Sequence, residues 1–90
     1  MDEIVDNQMA SRFEMPVEDG IAFVAYRRGD GVIWLDHAEV PRPLEGRGLG
    51  DRLVRAVLDK VRAEGLKVVP RCSFVAAFIR RNRGYQDLLA

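Results

Sequence analysis

One cysteine, Cys72, and one histidine, His37, are all that 90 residues offer a thiol or imidazole chemist. A lone cysteine excludes an internal disulfide, and without a second thiol and flanking histidines there is no zinc cage, so no metal is expected and a reducing, cytoplasmic setting fits. Net charge is missing as well. Fourteen Lys and Arg balance fourteen Asp and Glu, which argues against nucleic acid as a partner, since that function asks for a basic footprint. No run approaches the roughly 18–20 continuous apolar residues of a spanning helix, and the acidic N-terminus has no apolar leader segment, so no membrane partner is expected. Repeats, low-complexity tracts and linkers are absent too, which leaves residues 1–90 to be read as one domain.

What is present is an ordinary globular mixture, 48% apolar and 31% charged, sufficient for one core in a chain that buries only roughly 60–65% of its unfolded surface. Charge is uneven along it. Asp2, Glu3, Asp6, Glu14, Glu18 and Asp19 crowd the beginning, while Arg71, Arg80, Arg81 and Arg83 gather near the end with few acidic neighbours. A local anion site is therefore more plausible than a polyanion surface.

Turn signals divide the first half. Asp19-Gly20 follows the alternating run Arg12 to Val17, and Gly29-Asp30-Gly31 separates Ile21 to Tyr26 from Val32 to Val40, which reads as a three-stranded antiparallel meander. The middle strand is apolar on both faces and is expected to be central and covered on both sides. The third turns polar at Asp36, His37 and Glu39 before Pro41 and Pro43 forbid further ladder pairing. Strand alternation puts His37 and Glu39 on one face and Asp36 on the other.

From Gly48 to Glu64 the period changes to about 3.6, with Leu49, Leu53, Val57 and Val61 four apart, giving an amphipathic helix that Gly65 caps. Leu66 to Val69 is a short β-branched strand interrupted at Pro70, and the strand–helix–strand order makes it a parallel neighbour of the third strand. Phe74, Ala77 and Phe78 after Ser73 suggest a second helix, with a final turn around Tyr85 to Leu89.

Chemistry concentrates in Glu45-Gly46-Arg47-Gly48-Leu49-Gly50, between a strand end and a helix start. Free N–H groups at a helix N-terminus bind anions, and glycines admit a phosphate close to the main chain. Arg47, with Arg42 or Arg52, is a candidate for further phosphate contacts. The alternative is that the glycines only shape a tight turn. A P-loop is excluded because no Gly-Lys-Ser/Thr follows, and the dinucleotide fingerprint fails because Asp51 and Leu53 stand where its third glycine should fall.

The segment resembles the acetyl-CoA loop of GCN5-related N-acetyltransferases, with Gly48 and Gly50 at its two small positions and Glu45 where that loop usually begins with Arg or Gln. Asp36-His37-Ala38-Glu39-Val40-Pro41 and Val69-Pro70-Arg71-Cys72-Ser73-Phe74-Val75 extend the likeness, over nearly the whole chain, to a short single-domain subgroup of that family. The resemblance implies a minimal acyl-CoA N-acyltransferase fold: an α/β protein with a mixed, mostly antiparallel sheet, a splayed parallel strand pair and two to three helices. It implies acetyl-CoA as co-substrate, held by Glu39, Val40, Gly46, Arg47, Gly48, Leu49, Gly50 and Asp51, and acetyl transfer to an amine, possibly one on a protein or peptide.

Such a reaction needs a base for the ammonium and an acid for the departing thiolate. His37 and Glu39 are candidates as base and orienting partner, Cys72 as nucleophile or thiol acid, and Tyr85 as general acid. Each has a plainer reading: a surface histidine, a solvated glutamate, a small buried cysteine, and a ring packed on the second helix. Helices that shape the acceptor pocket in longer family members have no room here, so the acceptor side is expected to be open. Two further functions stay in view: an acetyl-CoA-binding sensor with little turnover, and an interaction module that uses no cofactor.

Overall fold

The computed structural model describes residues 3–18, 20–42, 46 and 48–90. Its elements run β1 (Val5–Asn7), β2 (Arg12–Val17), β3 (Gly20–Arg28), β4 (Val32–Glu39), α1 (Leu49–Ala63), β5 (Lys67–Pro70), α2 (Ser73–Arg81) and a terminal 3-10 helix (Arg83–Leu88). The strands lie in chain order across one sheet, antiparallel except for the β4–β5 pair. The expected meander and its parallel neighbour are thus in place. β1 is an addition: its three residues are too few to show an alternation of their own, and they are strand because they pair with β2.

Helix α1 begins at the N-cap Gly48 and ends at the C-cap Glu64. Gly65, at φ 74°, closes it: the Gly65 N–H donates to Arg62 O at 3.0 Å and the Leu66 N–H to Val61 O at 3.2 Å, the paired bonds of a Schellman stop. One apolar stripe of this helix, Leu53, Val54, Val57, Leu58 and Val61, is fully buried. It packs with Val75, Phe78 and Ile79 of α2 on one face of the sheet, against Phe13, Met15, Ala22, Val24, Tyr26, Ile33, Leu35 and Val68.

The other sheet face has no helix over it among the described residues. The expectation that β3 is covered on both sides is therefore corrected: Ala22, Val24 and Tyr26 are buried, while Phe23 and Ala25 are half-buried and Ile21 is 44% exposed. Two helices both fall on the same side, and the apolar residues of the opposite side are covered instead by arginine stems. The Arg12 guanidinium lies 4.3 Å from the Phe23 ring centre and that of Arg27 5.5 Å from Trp34.

At the far end of the sheet Arg28 ties three elements, donating to Asp6 of β1 at 2.8 Å and to Glu64 beyond α1 at 3.1 Å while lying over the Tyr26 ring. The terminal 3-10 helix is tied back by Arg62, which grips Asp87 at 2.8 and 3.0 Å. Among the described residues no helix is long and apolar enough to cross a membrane.

Three carboxyls report on this pairing. Hydrogen bonds from Arg12 and Asn7 lower Glu14, that from Arg27 lowers Asp36, and that from Arg62 lowers Asp87. A depressed folded value means stability that is complete above the unfolded carboxyl value of about 4 and is lost as pH falls through the folded value. The thermal midpoint is expected to fall between about pH 5 and about pH 2, and Asp87→Asn to flatten that slope; a slope unchanged in Asp87→Asn would show that the Arg62 pair contributes nothing.

Candidate functional site

The parallel ladder ends early. Leu35 faces Pro70 as the last β4–β5 pair, yet β4 runs on through Asp36, His37, Ala38 and Glu39. The Lys67 N–H reaches Gly31 O at 3.0 Å and Val68 O takes the Ala90 N–H on the far edge, so the alternate residues of β5 face β4 and the next ladder donor is the Arg71 N–H; it turns back to Val69 O at 3.1 Å. The Cys72 N–H then reaches Leu35 O at 2.9 Å, and the chain leaves the sheet as α2. Beside the free end of β4 lies a cavity of about 460 Å3. Ala38 and Val40 form its sheet wall, Gly46, Gly48, Gly50, Asp51 and Leu53 its helix wall, and Phe74 of α2 the remaining side.

Gly46 and Gly48 carry φ of 83° and 74°, the left-handed region in which a side chain costs roughly 1–2 kcal/mol. Gly48 is the N-cap of α1 and, having no side chain, contributes no cap hydrogen bond. First-turn N–H groups have no intrahelical acceptor, and here they end at the cavity with the positive end of the helix dipole. Gly50 serves closeness instead: a Cβ there would sit 2.8 Å from the Phe74 ring. The Asp51 carboxylate works against an anion, and Arg81 offsets it from 3.6 Å.

Val40, Gly46, Gly48, Gly50 and Asp51, all expected to hold the cofactor, are thus brought to one cavity, with Leu49 in the first helical turn. Arg47 lies outside the described residues, as do Leu44 and Glu45. Glu39 sits between Ala38 and Val40, but its side chain leaves by the other face. There the His37 Nε2 and Glu39 Oε1 are 3.2 Å apart, with side chains 60% and 61% exposed, and the imidazole meets the Phe23 ring edge-on at 6.1 Å between centres.

Asp36 does not take the face opposite His37, as simple alternation would have it. The β3–β4 register slips between Ala25 and Tyr26, so that Ala25 faces His37 while Tyr26 faces Leu35, and Asp36 is the extra residue of a bulge. Its carboxylate accepts from Arg27 at 2.7 and 3.0 Å, on the same uncovered face.

Cys72 is the half-buried N-cap of α2, at the point where the two strands part, and does not line the cavity. Tyr85 is remote from the glycines. Its hydroxyl donates to Asp59 at 2.7 Å, roughly two turns along α1 from Asp51, and its ring packs on Phe78 at 5.7 Å. Burial first, and then the bond to Asp59, raise its pKa. Sequence reasoning passed over Ala38, Leu53 and Phe74 as cavity walls; the one available signal was the bulky Phe74 in the first turn of α2, 40% exposed.

A mixed sheet whose single parallel pair opens beside a glycine-bounded, uncapped helix start is the architecture of acyl-CoA N-acyltransferases. The profile of the GCN5-related N-acetyl-transferase family matches residues 12–88, and the chain belongs to that family. The solution structure of a GCN5-like protein from Staphylococcus aureus superposes with a TM-score of 0.72 at 30% identity, over 98% of this chain and 87% of that one. Protein NATD1 of Bos taurus and of Homo sapiens is 35% identical over 54 residues, that of Xenopus tropicalis 33%. Those matches take in 60% of this chain and 48–50% of the relatives, so the alignment spans about half their length.

Gly48→Ala places a Cβ on a left-handed residue with open space around it. It is expected to cost about 1–2 kcal/mol in urea unfolding; an unchanged midpoint would mean that the helix start relaxes to another conformation.

Proposed function

We propose that this chain binds acetyl-CoA in the cavity between β4 and the start of α1 and transfers its acetyl group to an amine. The observation that carries the reading is the uncapped, glycine-bounded first turn of α1 opening onto a cavity that follows β4 past the end of its parallel partner. First-turn N–H groups and the helix dipole suit a pyrophosphate. The apolar walls Val40, Leu53 and Phe74 suit the pantetheine arm, whose amides pair with the main chain near Glu39 and Val40.

The amine nitrogen attacks the thioester carbonyl, the carbon–sulfur bond breaks, and the acetyl group stays on nitrogen. The His37 imidazole, held by Glu39, takes the proton that the ammonium must lose before attack; the Cys72 thiol gives one to the departing thiolate and takes back the second proton that the nitrogen sheds as the amide forms. Tyr85 has no part in this scheme, because its hydroxyl is engaged by Asp59.

Isothermal titration with acetyl-CoA is expected to saturate at one site, with dephospho-CoA reporting any contact to the 3′-phosphate. Gly48→Val is expected to abolish that binding in a protein that circular dichroism shows to be folded, and Cys72→Ala to retain it while lowering turnover. A folded wild-type chain that does not bind would overturn the reading. Binding without acceptor-dependent thiol release would make the chain an acetyl-CoA sensor.

A further inference from the structure

Arg81 differs from the arginines of the ion pairs described above. Arg12, Arg27, Arg28 and Arg62 each donate a hydrogen bond to a carboxylate at 2.5–2.8 Å. Arg81 approaches Asp51 only to 3.6 Å, too far for a hydrogen bond, with side chains 55% and 46% exposed. Such a pair contributes little to stability and leaves the guanidinium donors available. Nor is Arg81 needed to close its own helix. The side chains of Asn82 and Gln86 already donate to Phe78 O, Ile79 O and Arg80 O at the end of α2.

Its place is at the cavity. Phe74, Phe78 and Arg81 fall at helical spacing on the face of α2 turned toward α1. Phe74 lines the cavity and rests on Gly50, Phe78 is buried with the α1 stripe, and Arg81 meets Asp51, a wall residue in the first turn of α1. A carboxylate thus stands in the wall read above as the anion site, and a cation from the other helix reaches back to it. Arg80 and Arg83 are also exposed, but neither is tied to a cavity residue among the described residues.

We propose, resting on the acetyl-CoA reading above, that Arg81 is a phosphate-binding residue of the cofactor site, and that Asp51 holds its guanidinium at the cavity until a cofactor phosphate takes it. A phosphate offers the planar guanidinium fork two oxygens at once. The side chain therefore exchanges a loose pair for a hydrogen-bonded one, and still screens Asp51 from the ligand. Two groups of the same cofactor have this chemistry, the diphosphate and the 3′-phosphomonoester.

Titrations with acetyl-CoA and with acetyl-dephospho-CoA separate them. Arg81→Gln is expected to raise the Kd for acetyl-CoA about three- to twentyfold, the worth of a charge-assisted contact that solvent partly screens. Arg81→Lys, which keeps the charge and loses the fork, is expected to give a smaller rise, and the double variant Arg80→Gln/Arg83→Gln to stay near the wild-type value. A penalty in Arg81→Gln that is equal for both cofactors assigns the contact to the diphosphate; one confined to acetyl-CoA assigns it to the 3′-phosphate, and either supports the proposal. The urea midpoint of Arg81→Gln is expected to stay close to that of the wild type, because the pair with Asp51 is exposed. An unchanged Kd in Arg81→Gln, a lysine variant as weak as the glutamine one, an equal rise in the Arg80/Arg83 variant, or a Kd that rises only together with a lost midpoint would each overturn it. If acetyl-CoA binds and Arg81→Gln leaves its Kd unchanged, the role of Arg81 falls alone; if acetyl-CoA does not bind the folded wild-type chain, both readings fall.

Discussion

The Arg71 N–H turns back to Val69 O at 3.1 Å in place of a full ladder bond to β4, and much of the site depends on that turn. The parallel pairing of β4 with β5 ends just before it, at Leu35 and Pro70. Had the ladder continued, β5 would have covered the edge of β4 through Glu39, and the main chain there would be spent on strand pairing. Instead the chain turns, Cys72 ties itself to Leu35, and α2 starts close enough for Phe74 to rest on Gly50. The turn at Arg71 thus sets where the sheet opens, where the second helix begins and which residue forms the third wall of the cavity.

The division of the two helices imposes the second constraint. Both lie on one face, where they bury Phe13, Val24, Ile33, Leu35 and Val68. The opposite face is left to long arginine stems and ion pairs, each of which contributes modestly where solvent screens it. The helices that make the core also make a wall of the cavity, and the face opposite them is left bare.

Legibility in the sequence followed the strength of the local signal. Helix α1 was readable to a residue at either end, because its apolar spacing sits between Gly48 and Gly65, each of which has left-handed φ. β2, β3 and β4 were readable from alternation and turn glycines, and the glycine loop from its place between strand and helix. β1 was not, since Val5, Asp6 and Asn7 are strand only through their partners. Ile21, Phe23 and Ala25 misled because apolar residues mark a face that avoids water, and arginine stems can meet that need as well as a helix can. Tyr85 was placed by a contact from the end of the chain to Asp59, which no local pattern encodes.

The bulge at Asp36 was the least legible feature, yet the chemistry turns on it. Strand alternation carried straight on from the buried Ile33 and Leu35 would send His37 and Glu39 toward the helices and Ala38 and Val40 outward. The extra residue reverses that phase. Two small apolar side chains then face the cavity, where a glutamate would otherwise have lain beside the positive end of the helix dipole. The carboxylate and imidazole are delivered instead to the uncovered face. A single inserted residue therefore keeps a carboxylate away from the helix start that opens onto the cavity.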